Sequence, residues 1–334
     1  MREFLREIVH TLEAGKPVEL VSVVRASGST PRGAGAMMSV FADGRAMGTV
    51  GGGSAEFAAQ KHAAELLEKG GEDLCRFRFV QGEAASLGMV CGGDVEVQFQ
   101  YLSPENGETI AILRELKEAC AHSADVWLVR RIEDGRITAM GIADREGVRH
   151  LDKAPENLSD LLGNKAMYDG EWFAVPVVRA GRTYIFGGGH VSQALVPVLA
   201  GVDFRPVVYD DRTEFADPAL FPEAEQVLCG SFLELSEHLT VTADDYVVIM
   251  TRGHQADYEV LTQVLRSGAK YLGCIGSRKK LALCRDRLLA DGFTEAEYAR
   301  VHAPIGLAIG AETPAEIAIS VAAEMIAVRA GLEK

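Results

Sequence analysis

Residues 184–211 read YIFGGGHVSQALVPVLAGVDFRPVVYDD, an apolar β-rich run, a glycine turn and a second apolar run that ends in two acids. The same plan of strand, small-residue turn and polar helix start recurs at 207–212, 247–254 and 271–278. In an open parallel sheet, such turns lie at the carboxyl ends of the strands, where ligands bind. The sequence therefore predicts a Rossmann-like, doubly wound α/β domain in the C-terminal half, built to hold a small molecule that carries phosphate.

The first of these turns approximates the dinucleotide-binding fingerprint. Gly187 and Gly189 match its first two glycines, Ser192 replaces the third, and an acid follows at Asp210. The serine weakens the indication of a pyrophosphate. Asp210 and Asp211 can accept hydrogen bonds from a ribose and would repel a 2′-phosphate, so NAD is favoured over NADP. The alternative is a Rossmann-like scaffold that binds no dinucleotide, because a fold alone does not establish function.

The other turns of this half also carry candidate ligand-binding groups. Gly276, Ser277 and Arg278 begin a helix, where backbone N–H groups and added donors attract an anion. The alternative is a capped surface helix with solvated bases. Thr251 and His254 follow another strand, where a histidine is as often structural as functional.

His190 follows Gly188 and Gly189 directly. A side chain at that place points toward whatever the glycine turn holds. We therefore predict His190 and the turn to be part of one binding site.

Glycine turns occur in the N-terminal half as well. Gly51, Gly52 and Gly53 precede an Ala- and Glu-rich helix, and consecutive glycines expose N–H groups to a ligand. The alternative is an ordinary tight turn. A polar loop over 29–35 carries one basic residue, Arg32, and indicates little by itself.

Cys91 is the chemically suggestive residue of this half, since it precedes two glycines in a loop. Free N–H groups there can stabilise the thiolate, the reactive form of cysteine. The alternative is a buried, inert thiol. No second cysteine or histidine lies near it at ligand spacing, so the sequence predicts no metal bound by protein ligands alone.

The length of 334 residues favours about two domains. We expect an N-terminal α/β (α+β) domain over 1–105, a middle α/β segment over 106–181 that packs with it, and the Rossmann-like domain over 182–334. Within the first, an Ala- and Glu-rich run predicts a helix at 54–69. The linker into the last domain is expected near 180–181.

Local patterns predict several further elements. In the middle segment they indicate a helix at 109–121 and strands at 126–131, 136–142 and 172–178. A helix near the C-terminus begins at Thr313, with proline at its first position and a capping-box glutamate three residues after the cap.

Composition excludes several classes of protein. The net charge of −14 argues against nucleic acid, because neutralising phosphates takes clustered basic residues. No apolar run is long enough to span a membrane, and the N-terminal helix pattern lacks the apolar core of a signal peptide. The six cysteines are scattered without a C-x-x-C pair, which favours reduced thiols in the cytoplasm.

In their joint order, these motifs resemble the XdhC/CoxI family, the accessory proteins of molybdenum hydroxylases such as xanthine dehydrogenase. In the N-terminal half the resemblance rests on GSTPR at 28–32, GTVGGGSAE at 48–56 and MVCGG at 89–93. In the C-terminal half it rests on GGGHV at 187–191, YDDR at 209–212, GCIGSRKK at 273–280 and residues 304–318. The sequence departs from the family at 251–254, where TRGH replaces the T-H-D-H of many relatives, so a role for paired histidines is in doubt.

The resemblance implies a non-catalytic role. Such proteins bind the molybdenum cofactor (molybdopterin or its dinucleotide form), support its sulfuration by a cysteine desulfurase, and help to insert it into the apo-hydroxylase. It also implies a homodimer, and it adds Glu56 to the cofactor-binding residues and a sulfur-handling role for Cys91. Two alternatives stay open: an NAD-dependent oxidoreductase that uses the last domain, and an interaction scaffold that binds no cofactor.

Overall fold

The computed structural model describes residues 1–28, 30, 32–78, 93–120, 125–163, 165–178 and 181–332. The chain divides into two compact units, Met1–Arg179 and Ala180–Lys334. Within the described residues, we find no helix of the length and apolarity that crossing a membrane requires.

The first unit contains two five-stranded antiparallel sheets. The first sheet has the order β3-β2-β1-β5-β4 and the second the order β8-β7-β6-β10-β9. The strands of the first sheet are β1 (Val18–Gly28), β2 (Met37–Phe41), β3 (Ala46–Gly48), β4 (Asp73–Arg78) and β5 (Gly93–Leu102). Those of the second are β6 (Val126–Glu133), β7 (Arg136–Asp144), β8 (Gly147–Arg149), β9 (Met167–Tyr168) and β10 (Trp172–Val178).

Four helices cover these sheets: α1 (Arg2–Glu13), α2 (Gly53–Lys69), α3 (Gly107–Ala119) and α4 (Leu158–Leu161). One apolar core joins α1 and α3 to both sheets, with Ile8, Leu116 and Phe173 fully buried in it. A second core lies between α2 and the first sheet and includes Ala63 and Phe99. The middle segment therefore shares its core with the N-terminal strands.

The second unit is built on one six-stranded parallel sheet with the order β13-β12-β11-β14-β15-β16. Its strands are β11 (Thr183–Phe186), β12 (Pro206–Asp210), β13 (Gln226–Cys229), β14 (Tyr246–Ile249), β15 (Tyr271–Cys274) and β16 (Val301–His302). Its helices are α5 (His190–Gly201), α6 (His254–Val264), α7 (Arg278–Ala290), α8 (Glu295–Tyr298) and α9 (Pro314–Arg329). In order of appearance this is 3-2-1-4-5-6, the strand order of a Rossmann fold.

Alternate residues of the central strand face opposite sides of this sheet. Phe186 lies in a core with α6 and α7, and Ile185 lies in a core with α5 and α9. Because both faces are covered, the strands are apolar throughout their length. The predicted α/β class, with a Rossmann-like doubly wound sheet and an N-terminal α+β domain, is confirmed.

One detail of the prediction is wrong. The strand that ends at Asp210 is followed by turns and a short 3₁₀ helix at Pro218–Leu220, and no α-helix starts there. Pro218 and Pro222 lack the backbone N–H that a helix interior requires. The connection between β12 and β13 is therefore irregular.

Candidate functional site

The strand order places three helix starts side by side. In the sheet, β11 lies next to β14, and β14 lies next to β15, all parallel. The turns into α5, α6 and α7 therefore emerge at one carboxyl edge, on either side of the point where the strand order reverses. Ligands of open α/β sheets bind at this place, since the orphan N–H groups of helix N-termini point there.

The three glycines after β11 do different work. A Cβ on Gly187, whose φ is +107°, would lie 2.3 Å from the Met250 carbonyl oxygen, and one on Gly188 would lie 2.1 Å from that of Phe215. The first two glycines are therefore required by close backbone packing. Gly189, the N-cap of α5, has open space where its Cβ would be, as has Gly253, the N-cap of α6.

The carboxylate of Asp210 is buried behind the same turn. Its Oδ2 accepts the Gly188 amide at 2.7 Å, and its two oxygens accept Nε and Nη2 of Arg212 at 2.9 and 3.0 Å. Burial acts to raise the pKa of Asp210, but the bonds from Arg212 and Gly188 outweigh it and lower the pKa. In this structure the acid is an ionised acceptor for the chain's own donors.

Charged side chains surround the open N-caps. Asp211 pairs with Arg252 at 3.2 Å, which joins the loop after β12 to the loop after β14. His190 and His254, the first residues of α5 and α6, are exposed. Both imidazoles therefore lie at the edge where the sequence predicted them.

A buried network fixes the turn after β14. Thr251 donates its amide to Asp257 Oδ1 at 3.2 Å, and its Oγ1 lies 2.5 Å from the same oxygen. Lys280 Nζ approaches Asp257 Oδ2 to 2.6 Å, as a charge contact outside hydrogen-bonding angles. Thr251 therefore faces inward, and Lys280 of α7 is tied to α6.

The third turn leaves two cations unpaired. Ser277 caps α7 by accepting the Lys280 amide, and Gly276 packs against the side chain of Leu281. Arg278 and Lys279 are exposed, and neither pairs with a carboxylate of the described chain. This edge of the sheet can therefore supply free positive charge to an anion.

The N-terminal glycine turn holds an anion of its own. Oε2 of Glu56 accepts the amides of Val50, Gly51 and Gly52 at 3.0, 3.4 and 3.1 Å, and it also accepts the hydroxyl of Thr49. Burial acts to raise the pKa of Glu56, but these bonds lower it. The amides of the turn are thus engaged by the chain itself. Binding of a cofactor by Gly51, Gly52, Gly53 and Glu56 stays a prediction.

Two predicted residues of the N-terminal half lie apart from these contacts. Cys91 falls outside the described residues. Arg32 is described and exposed, with no ion pair among the described residues.

Sequence reasoning missed the basic residues that neutralise the acids of this edge. Arg212, Arg252 and Lys280 each pair with an aspartate of the site region. The only local signal was the i, i+2 spacing of Asp210 and Arg212. The other two pairs join residues 41 and 23 positions apart, so they follow from packing alone.

Comparison with known families supports the arrangement of motifs. The XdhC Rossmann domain matches residues 183–325. The XdhC and CoxI family matches residues 11–78. This chain belongs to the XdhC and CoxI family.

Several curated relatives of this XdhC and CoxI family chain align over nearly all of it. An uncharacterized protein of Escherichia coli, YqeB, is 28% identical over 318 residues, which are 95% of this chain and 44% of YqeB. The chain thus spans less than half of that relative. A protein of Bacillus subtilis, named as a probable xanthine dehydrogenase component, is 26% identical and covered to 95%, with 95% of this chain aligned. The molybdenum cofactor insertion chaperone PaoD of Escherichia coli is 24% identical, over 98% of this chain and 88% of PaoD.

A solved structure described as a xanthine dehydrogenase from Bacillus halodurans has the same fold. It superposes with a TM-score of 0.81 and 23% identity, over 99% of this chain and 97% of that one. At this identity the likeness concerns the fold alone.

Proposed function

We propose that this protein is an accessory factor of a molybdenum hydroxylase, which binds the molybdenum cofactor and helps to insert it into the apo-enzyme. Membership of the XdhC and CoxI family and the likeness to PaoD support this role. The single observation that carries the cofactor site is the open edge where α5, α6 and α7 start side by side.

The residues at this edge fit an anionic pterin. The N-caps Gly189 and Gly253 have open space before them, and helix N-termini attract phosphate. Arg278 and Lys279 supply free charge, while Asp210 and Asp211 are neutralised by arginines. We assign the cofactor to this edge, with His190 and His254 placed to contact it, Thr251 and Ser277 fixing two of the turns, and Gly187, Gly188 and Gly276 shaping the backbone.

Sulfuration of the cofactor is the second part of the proposal. Two described thiols are poorly suited to it, since burial raises the pKa of Cys284 to about 11 and raises that of Cys274 as well. A protonated, buried thiol is a weak nucleophile. We therefore keep Cys91 as the thiol that assists a cysteine desulfurase, and we propose that the factor acts as a homodimer.

Binding of NAD has less support than binding of the molybdenum cofactor. In dinucleotide-binding domains an acid after the second strand accepts a ribose hydroxyl. Here Asp210 is only 1% exposed, and both of its oxygens accept bonds from the chain. A pterin phosphate makes no demand on that acid.

Cofactor uptake tests the proposal. The full chain is incubated with molybdenum cofactor and separated by gel filtration, and bound molybdenum and pterin are measured. We expect co-elution with the parent protein, and affinity lower by roughly 10- to 100-fold for Arg278→Ala, since a charge-assisted hydrogen bond is lost. Retention of NAD in place of the pterin, or of neither, contradicts the proposal.

A matched control separates the site from general charge effects. Arg266 is exposed just beyond the C-terminal end of α6, pairs with Glu297, and is remote from the α6 N-cap. Arg266→Ala is expected to bind the cofactor as the parent does. Equal weakening by Arg266→Ala and Arg278→Ala excludes a specific anion site at α7. Cys91→Ala is expected to bind cofactor or support its sulfuration less well without loss of fold, and unchanged retention and sulfuration remove Cys91 from the proposal.

A further inference from the structure

Three side chains with metal-binding atoms meet in the first unit, on residues to which the proposed function gives no role. His62 projects from α2, and Asp73 and Cys75 project from β4, the edge strand of the first sheet. Residues i and i+2 of a strand share one face, so the carboxylate and the thiol stand side by side. One ligand atom from each of the three residues lies within 4.8 Å of the other two.

We propose that His62, Asp73 and Cys75 form a binding site for Zn²⁺ with an open coordination position. Imidazole nitrogen, thiolate sulfur and carboxylate oxygen are the three kinds of ligand that zinc takes in proteins. Three protein ligands leave a fourth position for water or another donor. The site is independent of the cofactor edge of the second unit.

The distances fit such a site. Tetrahedral bonds of about 2.3 Å to sulfur and about 2.0 Å to nitrogen and oxygen separate the donor atoms by about 3.3–3.6 Å. Cys75 Sγ lies 3.6 Å from His62 Nε2. Asp73 Oδ2 is closer to both, at 2.8 Å from Nε2 and 2.9 Å from Sγ, because hydrogen bonds draw it in. When a cation takes the place of the bridging protons, the carboxylate retreats by roughly 0.5 Å.

The ligands are held from behind, as metal ligands commonly are. The ring of His62 packs edge-on against Phe99, with centroids 4.8 Å apart. The second oxygen of Asp73 accepts the Leu74 amide at 2.8 Å. All three ligands are half-buried, so an ion and a water can reach them. A bound ion would join α2 to the edge strand.

The chemistry of the thiol agrees with this geometry. Burial, followed by the Asp73 carboxylate, raises the pKa of Cys75 to about 12, so without a cation Cys75 is a neutral hydrogen-bond donor. A bound divalent ion removes that proton, since a coordinating thiol is deprotonated outright. Binding therefore exchanges a thiol–carboxylate hydrogen bond for a thiolate–metal bond.

Cobalt titration tests the site. The full chain is stripped with a chelator and titrated with Co²⁺, whose thiolate complexes absorb strongly in the near ultraviolet. We expect a thiolate-to-cobalt band that saturates at one ion per chain and disappears when Zn²⁺ is added. Competition against a chromophoric chelator then measures zinc affinity.

The variants identify the ligands. Cys75→Ser is expected to lose the band, and His62→Gln and Asp73→Asn to lower zinc affinity by more than about 10-fold, because even indirect contacts of metal ligands contribute that much. Cys229→Ser, at an exposed cysteine of the second unit, is the control and should retain both. Metal-free unfolding curves show that each variant is folded.

Three results would overturn the site: no saturable cobalt binding, a band that persists in Cys75→Ser, or equal zinc affinity of parent and the three ligand variants. A ligand variant that does not fold leaves the other two to decide. None of these measurements involves the molybdenum cofactor, so their failure is distinct from failure of the proposed function.

Discussion

The carboxylate of Asp210 accepts the amide of Gly188 at 2.7 Å. One oxygen of the acid thus occupies an N–H group that the sequence assigned to a ligand. The next glycine, Gly189, remains open at the N-cap of α5. The glycine turn is therefore divided into a part that the fold uses and a part that a ligand can use.

Asp210→Asn tests the first part. We expect the free energy of unfolding near neutral pH to fall by about 1–3 kcal/mol, since hydrogen bonds to a buried charged acceptor are weakened. The pKa of Asp210 is lowered, so the stabilisation exists above its ordinary pKa and is lost as the pH falls through the folded value. Urea unfolding at neutral and acidic pH measures this. Asp211→Asn, at a partly exposed position, is the control, and equal losses in both variants would contradict the assignment.

Glu56→Gln tests the carboxylate that occupies the N-terminal glycine turn. Loss of its charge weakens four hydrogen bonds to one oxygen. We expect a loss of about 1–3 kcal/mol near neutral pH. Because the pKa of Glu56 is lowered, the difference from the parent should vanish in acid. Glu68→Gln, exposed on the same helix, should change stability little, and a loss that is independent of pH counts against the prediction.

Glu19→Gln is expected to stabilise the protein. Glu19 is fully buried in β1, and neither of its carboxylate oxygens has a hydrogen-bond partner among the described residues. Burial, with a contribution from Glu72, raises its pKa to about 9. Between the ordinary pKa and this value, the folded chain retains a proton that the unfolded chain has released, so stability falls as the pH rises.

The gain from Glu19→Gln should therefore depend on pH. It is expected to be near zero in acid and on the order of 3 kcal/mol at neutral pH, at about 1.4 kcal/mol per pH unit. Urea unfolding across this range measures it, with Glu65→Gln, exposed on α2, as the control. A difference that is the same at every pH would show that Glu19 is ionised in the folded protein.

Lys280→Ala tests the network that ties α7 to α6. It leaves the carboxylate of Asp257 buried without its cation, a loss of about 3–5 kcal/mol for a buried pair, less here because Lys280 is partly exposed. The neighbouring Lys279 is exposed and unpaired among the described residues, and Lys279→Ala should stay within about 0.5 kcal/mol of the parent. Thermal unfolding compares the two. Similar melting temperatures would show that the pair adds nothing.

Most of the secondary structure near the sites is predictable, because its signals are local. The helix expected at 54–69 is α2, and the helix expected at 109–121 is α3. The strand expected at 172–178 is β10, and the capping box at Thr313 begins α9. The missing helix after β12 shows the limit of the pattern, since two prolines in its path were given too little weight.

The sites themselves are less predictable. The glycine-rich motifs located three turns correctly at one edge of the sheet, since parallel strands bring their carboxyl ends together. They carried no information on which amides would be filled. Gly188 is paired with an acid 22 residues away, and Gly52 with one four residues away. Nothing in the spacing of His62, Asp73 and Cys75 marked them as a group.

The amino-acid sequence by itself determined the parallel sheet and the place of its ligand-binding edge, because apolar runs and glycine turns act within a few residues of the chain. Only the tertiary structure decided which backbone amides stay open, which acids are neutralised, and that an imidazole, a carboxylate and a thiol converge between α2 and β4. Hydrogen bonds and ion pairs of this kind depend on distances between side chains that are far apart along the chain. Those distances exist only once helices have packed on sheets.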